Sequence, residues 1–157
     1  IDGNNNILFA DIKLIENRQK LLFHVQNNWI NNGVDNEKVI RLDHLDKKYF
    51  RSNKDYISNK NLFTKQNSFQ FYHKRIAFID NKLKFNKPSK KLVLDVLILT
   101  KNTKLSIAKI LEFYSPKQIV VDASSSAYNT KRLKNEAHQL GVNLWVTQQQ
   151  GAFQTEL

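Results

Sequence analysis

The stretch LVLDVLIL, Leu92 to Leu99, most limits what this 157-residue chain can fold into. A nearly unbroken apolar run of that length suits a strand covered on both faces, because a half-exposed strand would alternate. An amphipathic helix follows from about Leu105 to Tyr114 and is ended by Pro116. Gln118 to Val121 reads as a second short strand. A helix from Tyr128 to Leu140 then stops at Gly141, and Val142 to Val146 is a third strand. Strands alternating with helices predict an α/β fold, with a parallel β-α-β-α-β C-terminal third joined by right-handed crossovers. Ligands gather beyond the carboxyl ends of such strands. Here those ends carry Thr100-Lys101-Asn102, then Asp122-Ala123-Ser124-Ser125-Ser126, then Thr147-Gln148, and Thr100, Lys101, Asn102, Asp122, Ser124, Ser125 and Thr147 form a candidate strand-end pocket.

The N-terminal half is more strand- and hairpin-rich. IDGNNN suits a turn, and Ile7 to Leu14 a strand. Leu21, Leu22, Val25 and Trp29 recur at helical spacing, so a helix is predicted from Asn17 to Asn31, with Gly33 as its C-terminal cap. Val39 to Leu42 is a short strand, and His44 to Lys65 a long polar connection. FQFYH, RIAFI and KLKF read as antiparallel strands, the last two joined by a hairpin at Asp80-Asn81. In that reading Phe69 and Phe71 point one way, and Ile76, Phe78, Leu83 and Phe85 the other. The expectation is one domain over 1–157, with a more antiparallel half at 1–85 and the β-α-β-α-β half at 92–157. The chain starts at Ile1 and has no Met, so it reads as a fragment of a longer protein. No apolar stretch approaches the ~18–20 residues that cross a bilayer, so the fragment itself is expected to be soluble.

Few catalytic chemistries survive this composition. Without cysteine there is no thiolate nucleophile, disulfide or zinc ribbon. His24, His44, His73 and His138 are scattered, and Asp43-His44-x-Asp46 is the only local cluster of ligand type, so no metal and no cofactor is expected. Four glycines build no phosphate-cradling loop, and no nucleophile elbow is present. Asp122 with its serines is the most site-like cluster, although one of those serines is needed as a helix cap. Asp95 interrupts an apolar strand and requires a lysine or backbone amides as partners. Between residues 82 and 104 the chain carries Lys82, Lys84, Lys87, Lys90, Lys91, Lys101 and Lys104 against that single acid. With a net charge of +11, two readings stand side by side: an amino-acid bias towards Lys and Asn, or a surface that binds polyanions such as nucleic acid or an anionic membrane.

DVLILTKNTKLSIAKILEFYSPKQIVVDAS and HQLGVNLWVTQQQGAF together resemble the end of the ComEC family of competence proteins. These are membrane channels that pass single-stranded DNA into bacteria, and many end in a metallo-β-lactamase-like domain. The points of resemblance fall on Asp95-Val96-Leu97, Pro116, Gly141, Thr147 and Gly151-Ala152. Catalytic members carry paired histidines after the Asp-Val-Leu strand; here Thr100-Lys101-Asn102-Thr103-Lys104 stands there. Where they later have His-Pro, this chain has Thr130-Lys131, and the upstream H-x-H-x-D-H pattern is absent.

The resemblance therefore implies a degenerate, shortened metallo-β-lactamase-like domain with its metal ligands lost, tethered to the inner membrane at the periplasmic face. It implies a non-catalytic accessory role in DNA uptake, with no catalytic residue. The implied partners are single-stranded DNA, bound non-specifically through phosphates, the channel portion of the same polypeptide, and other uptake proteins. Two alternatives remain open: a hydrolytic or nuclease enzyme with a site around Asp122, and a purely structural or assembly domain.

Overall fold

Leu92 to Leu99 forms one uninterrupted strand, and it lies in the interior of a six-stranded sheet. The computed structural model describes residues 5–10, 12–31, 33–34, 36–41, 62–65, 67–81 and 90–155. The chain divides into two compact units, Ile1–Tyr56 and Ile57–Leu157.

The larger unit contains β3 (Leu62–Lys65), β4 (Ser68–Phe71), β5 (Lys74–Ile79), β6 (Leu92–Leu99), β7 (Tyr114–Val121) and β8 (Leu144–Val146). They lie in that spatial order. The pairs β3–β4 and β4–β5 are antiparallel; β5–β6, β6–β7 and β7–β8 are parallel. The parallel connections run through α4 (Ile107–Phe113) and α5 (Ala127–Gln139). Both crossovers advance in one direction across the sheet, so right-handedness puts both helices on the same face, and they contact each other.

Register explains the core. Ala77, Leu97 and Ile119 are neighbours across three strands, and so are Ile79, Leu99 and Val121. All six are fully buried. They share a cluster with Ile107 and Ile110 of α4 and with Leu133 and Ala137 of α5. The alternate positions, with Ile76 beside Val96 and Phe78 beside Ile98, form the other face. Val96 and Val120 of that face are buried as well, which accounts for the missing alternation in β6.

Several expectations change. The hairpin turns at Tyr72-His73, with Tyr72 in the left-handed region at φ 52°, and not at Asp80-Asn81. β5 pairs with β4 on one edge and with β6 on the other. Residues 82–85 lie outside the described residues. Phe69 and Phe71 share a face with Ile76 and Phe78, since Phe69 sits opposite Ile76 in the ladder. The Phe69 and Phe78 rings are 5.6 Å apart. Pro116 does not end α4. Tyr114 is already extended, at φ −124° and ψ 149°, and β7 pairs with β6 from Leu92–Tyr114 onward with Pro116 inside it. Sheet pairing claims the chain before the proline can.

The smaller unit is a parallel pair, β1 (Asn5–Ala10) with β2 (Asn36–Arg41). That corrects the more antiparallel reading of this region, and parallel pairing requires a crossover. The crossover consists of α1 (Ile12–Ile15), α2 (Arg18–Leu21), a π-helical turn (Leu22–Gln26) and α3 (Asn27–Asn31). Asn17 caps it by accepting the Lys20 N–H at 3.0 Å, and Gly33 leaves it at φ +61°. The first strand is shorter than expected because Ile12–Ile15 is already helical. Trp29 of α3 is buried. The polar stretch from His44 falls mostly outside the described residues, apart from β3 and its neighbourhood.

Candidate functional site at the carboxyl ends of the parallel strands

Parallel strands deliver their carboxyl ends to one edge, and the loops leaving β5, β6, β7 and β8 interlock there. Beyond β6, Thr100 is buried, and its N–H donates to Ile79 O at 2.9 Å. Lys101 and Asn102 follow in the left-handed region, at φ 52° and 54°. Asn tolerates that conformation, whereas Lys adopts it only against steric cost. Neighbouring side chains hold the pair. Asn81, just past β5, donates from Nδ2 to Lys101 O (2.8 Å) and Asn102 O (2.9 Å), and its Oδ1 accepts the Lys104 N–H (2.7 Å). Lys101 N–H donates to Ser124 Oγ at 2.7 Å, and Ser126 N–H to Asn102 Oδ1 at 2.6 Å.

The loop after β7 is built the same way. Asp122 Oδ1 accepts both the Ser124 N–H (3.0 Å) and the Ser124 hydroxyl (2.5 Å). Ser126 is the serine that caps α5, accepting the Asn129 N–H at 3.3 Å. From β8, Thr147 Oγ1 donates to Val121 O (3.0 Å), while Gln148 Nε2 donates to Ala123 O (2.9 Å) and Ser125 O (2.8 Å). Arg132 of α5 donates to Thr103 O (2.9 Å) and Asn129 Oδ1 (2.8 Å) and pairs with Glu136 at 2.6 Å. Glu136 Oε2 in turn accepts the Ile107 N–H at the start of α4.

Thr100, Lys101, Asn102, Asp122, Ser124, Ser125 and Thr147 thus share one edge. At its foot, Thr103 Oγ1, Ser125 Oγ, Asn129 Nδ2 and Thr130 Oγ1 are buried without a hydrogen-bond partner in the protein.

Lys90 and Lys91 do not stand with Lys101 and Lys104. Lys101 and Lys104 stand exposed at this edge, with Lys101 Nζ 3.9 Å from Asp80 Oδ2. Lys90 and Lys91 precede β6, so they lie at its opposite end, about 26 Å away for an eight-residue strand at ~3.3 Å per residue. Lys82, Lys84 and Lys87 lie outside the described residues. Asp95 lies within β6, four residues before its last residue Leu99, and so away from this edge. Its Oδ1 pairs with Lys117 Nζ at 2.8 Å, and its Oδ2 accepts the Arg75 N–H at 2.9 Å. The Lys117 hydrogen bond first, and the Arg75 amide second, hold its pKa below the usual carboxylate value. Asp95 is a structural carboxylate, remote from Asp122.

Sequence reasoning missed Arg132 and took Asn81 only as a turn residue; with Gln148, which it placed at the end of the third strand, these side chains help to fasten the edge together. A polar residue directly after a strand, as Asn81 is, was the available signal, but its partners are distant in sequence. Among the described residues no three His, Asp or Glu side chains converge as a metal cluster, and no helix is long and apolar enough to cross a membrane. Asp43, His44 and Asp46 lie outside the described residues.

A model of the ComEC C-terminal domain matches residues 1–157. No curated protein and no solved structure matches.

Proposed function

The chain belongs to the ComEC C-terminal domain family, which ties it to competence DNA uptake and to a membrane protein, and from that premise we propose a non-catalytic, DNA-contacting accessory role for it. In this reading the domain is a degenerate metallo-β-lactamase-like fold on the periplasmic side of the channel. It touches incoming single-stranded DNA through phosphates at Lys101 and Lys104, and it meets the channel and other uptake proteins.

The observation that carries the reading is the loop 100–104. Its donor set is unsuited to a metal: an ammonium cannot ligate, and Asn102 Oδ1 is already taken by the Ser126 N–H. What the loop offers instead is two exposed ammonium groups on a braced backbone. Lys101 adopts a left-handed conformation that costs free energy, and a function for its side chain gives a reason to keep it. A hydrolytic role for Ser124 has less support, because its hydroxyl is engaged by Asp122 and by the Lys101 N–H.

Fluorescence anisotropy with labelled oligonucleotides tests the proposal. Sequence-independent binding is expected, falling by roughly tenfold between about 50 and 200 mM salt if about two to three phosphates are neutralised. Lys101→Glu with Lys104→Glu should weaken it on every sequence, and Lys13→Glu should do less. No cleavage is expected in any divalent metal. Undetectable binding at low salt would leave the assembly-domain reading, and metal-dependent degradation after rigorous purification would restore the enzyme.

A further inference from the structure

We propose that Tyr128 is a stacking platform for an unpaired base, so that the strand-end edge selects single-stranded over double-stranded DNA; this rests on the DNA-contact reading and adds the group that tells the two forms apart. Tyr128 is the second residue of α5 and is 82% exposed. Its immediate neighbours Asn129 and Thr130 are buried, as are Leu133 and Ala137 further along, so α5 is fixed and the ring projects from a rigid element. By contrast, Trp145 is only partly exposed, with its ring against Phe153 and its N–H donated to Gly151 O.

The surroundings suit a polyanion. The first turn of α5 holds no acidic residue, and Lys131, three residues on and exposed, is its neighbour on the helix surface. The positive end of the helix dipole lies at the same turn. The Ser126 N–H bond to Asn102 Oδ1 fastens this turn to the loop that carries Lys101 and Lys104. A ring beside lysines is the arrangement by which proteins hold single strands without reading sequence: bases stack while cations track phosphates. A duplex keeps its bases stacked on one another, so the ring gains nothing from it.

The full chain is compared with Tyr128→Ala, Tyr128→Phe and the Lys101→Glu/Lys104→Glu variant, on labelled oligo(dT) and on a mixed-sequence duplex. Tyr128→Ala is expected to lose about tenfold to a hundredfold on oligo(dT) and less than about twofold on duplex. Tyr128→Phe should retain binding. The slope of log affinity against log salt should be unchanged by Tyr128→Ala and reduced by the lysine changes, because stacking releases no counterions. Wild-type affinity of Tyr128→Ala for oligo(dT), alongside weakened lysine variants, would overturn stacking and leave phosphate contact standing. Equal losses on single strand and duplex would also overturn it. Absence of any wild-type binding would remove the DNA-contact reading and this inference with it. The side chain is exposed, so thermal unfolding of Tyr128→Ala should match wild type and exclude a folding defect.

Discussion

Strand β6 and its carboxyl-end rim are held by opposite means. Within the strand, Leu97 and Leu99 are fully buried among Ile119, Val121, Ile107, Ile110 and Leu133, and the backbone is satisfied by its neighbouring strands. A few residues later, loops 100–104 and 122–126 hold their shape through Asn81, Asn102, Ser124, Asp122 and Gln148 side chains bonded across the gaps between strands. The first arrangement is non-directional and needs only apolar residues of suitable size. The second is directional, so each polar atom fixes a particular backbone group. A rim built this way can present charge in a defined place while the sheet beneath supplies the stability.

Breaking the strand should have the largest effect. Leu97→Ala removes a side chain with no exposure from the centre of the sheet and is expected to cost about 2–5 kcal/mol. Urea denaturation would measure it, and a loss below about 1 kcal/mol would mean that β6 is not the core strand. Breaking the rim should cost less and act locally. Asn81→Ala removes two donated bonds and one accepted bond at an exposed site, for about 1–2 kcal/mol. Amide exchange at Lys104 should accelerate while exchange within β6 stays slow; uniform acceleration would show that rim and core are one cooperative unit.

The smallest effect lies at Asp95, within β6. The pKa of Asp95 is lowered in the folded state, so its contribution is present above the ordinary carboxylate range and is lost as pH falls through the folded value. Lys117 is 73% exposed, which screens the pair, so Asp95→Asn should cost under about 1 kcal/mol near neutrality. That difference from wild type should shrink as acid protonates the wild-type carboxylate. A difference that stayed constant into strong acid would mean that charge plays no part at Asp95.

The β-α-β-α-β succession was legible because its elements carry their own signals: the unbroken apolar run in β6, a serine cap in the loop after β7, and Gly141 at φ +63°. Periodicity and capping are local properties, and the family resemblance followed the same residues. The hairpin position was not legible. Asp80-Asn81 carries better turn residues than Tyr72-His73, yet β5 needs both edges for β4 and β6, and local propensity yields to that demand. For the same reason Pro116, a stop signal when read alone, lies inside β7.

The sequence by itself determined that the chain has a parallel α/β core in its last third, and that Thr100, Lys101, Asn102, Asp122 and the serines leave its strands at the ends. Those facts follow from the order of apolar and polar residues along one strand or helix at a time. Only the tertiary structure decided which lysines stand together, parting Lys90 and Lys91 from Lys101 and Lys104 by the length of a strand. It alone gave Asn81 and Arg132 their partners across distant loops, and left Tyr128 bare at the head of α5. Contacts of that kind join residues far apart in the chain, and their energies depend on geometry that exists only once the sheet has formed.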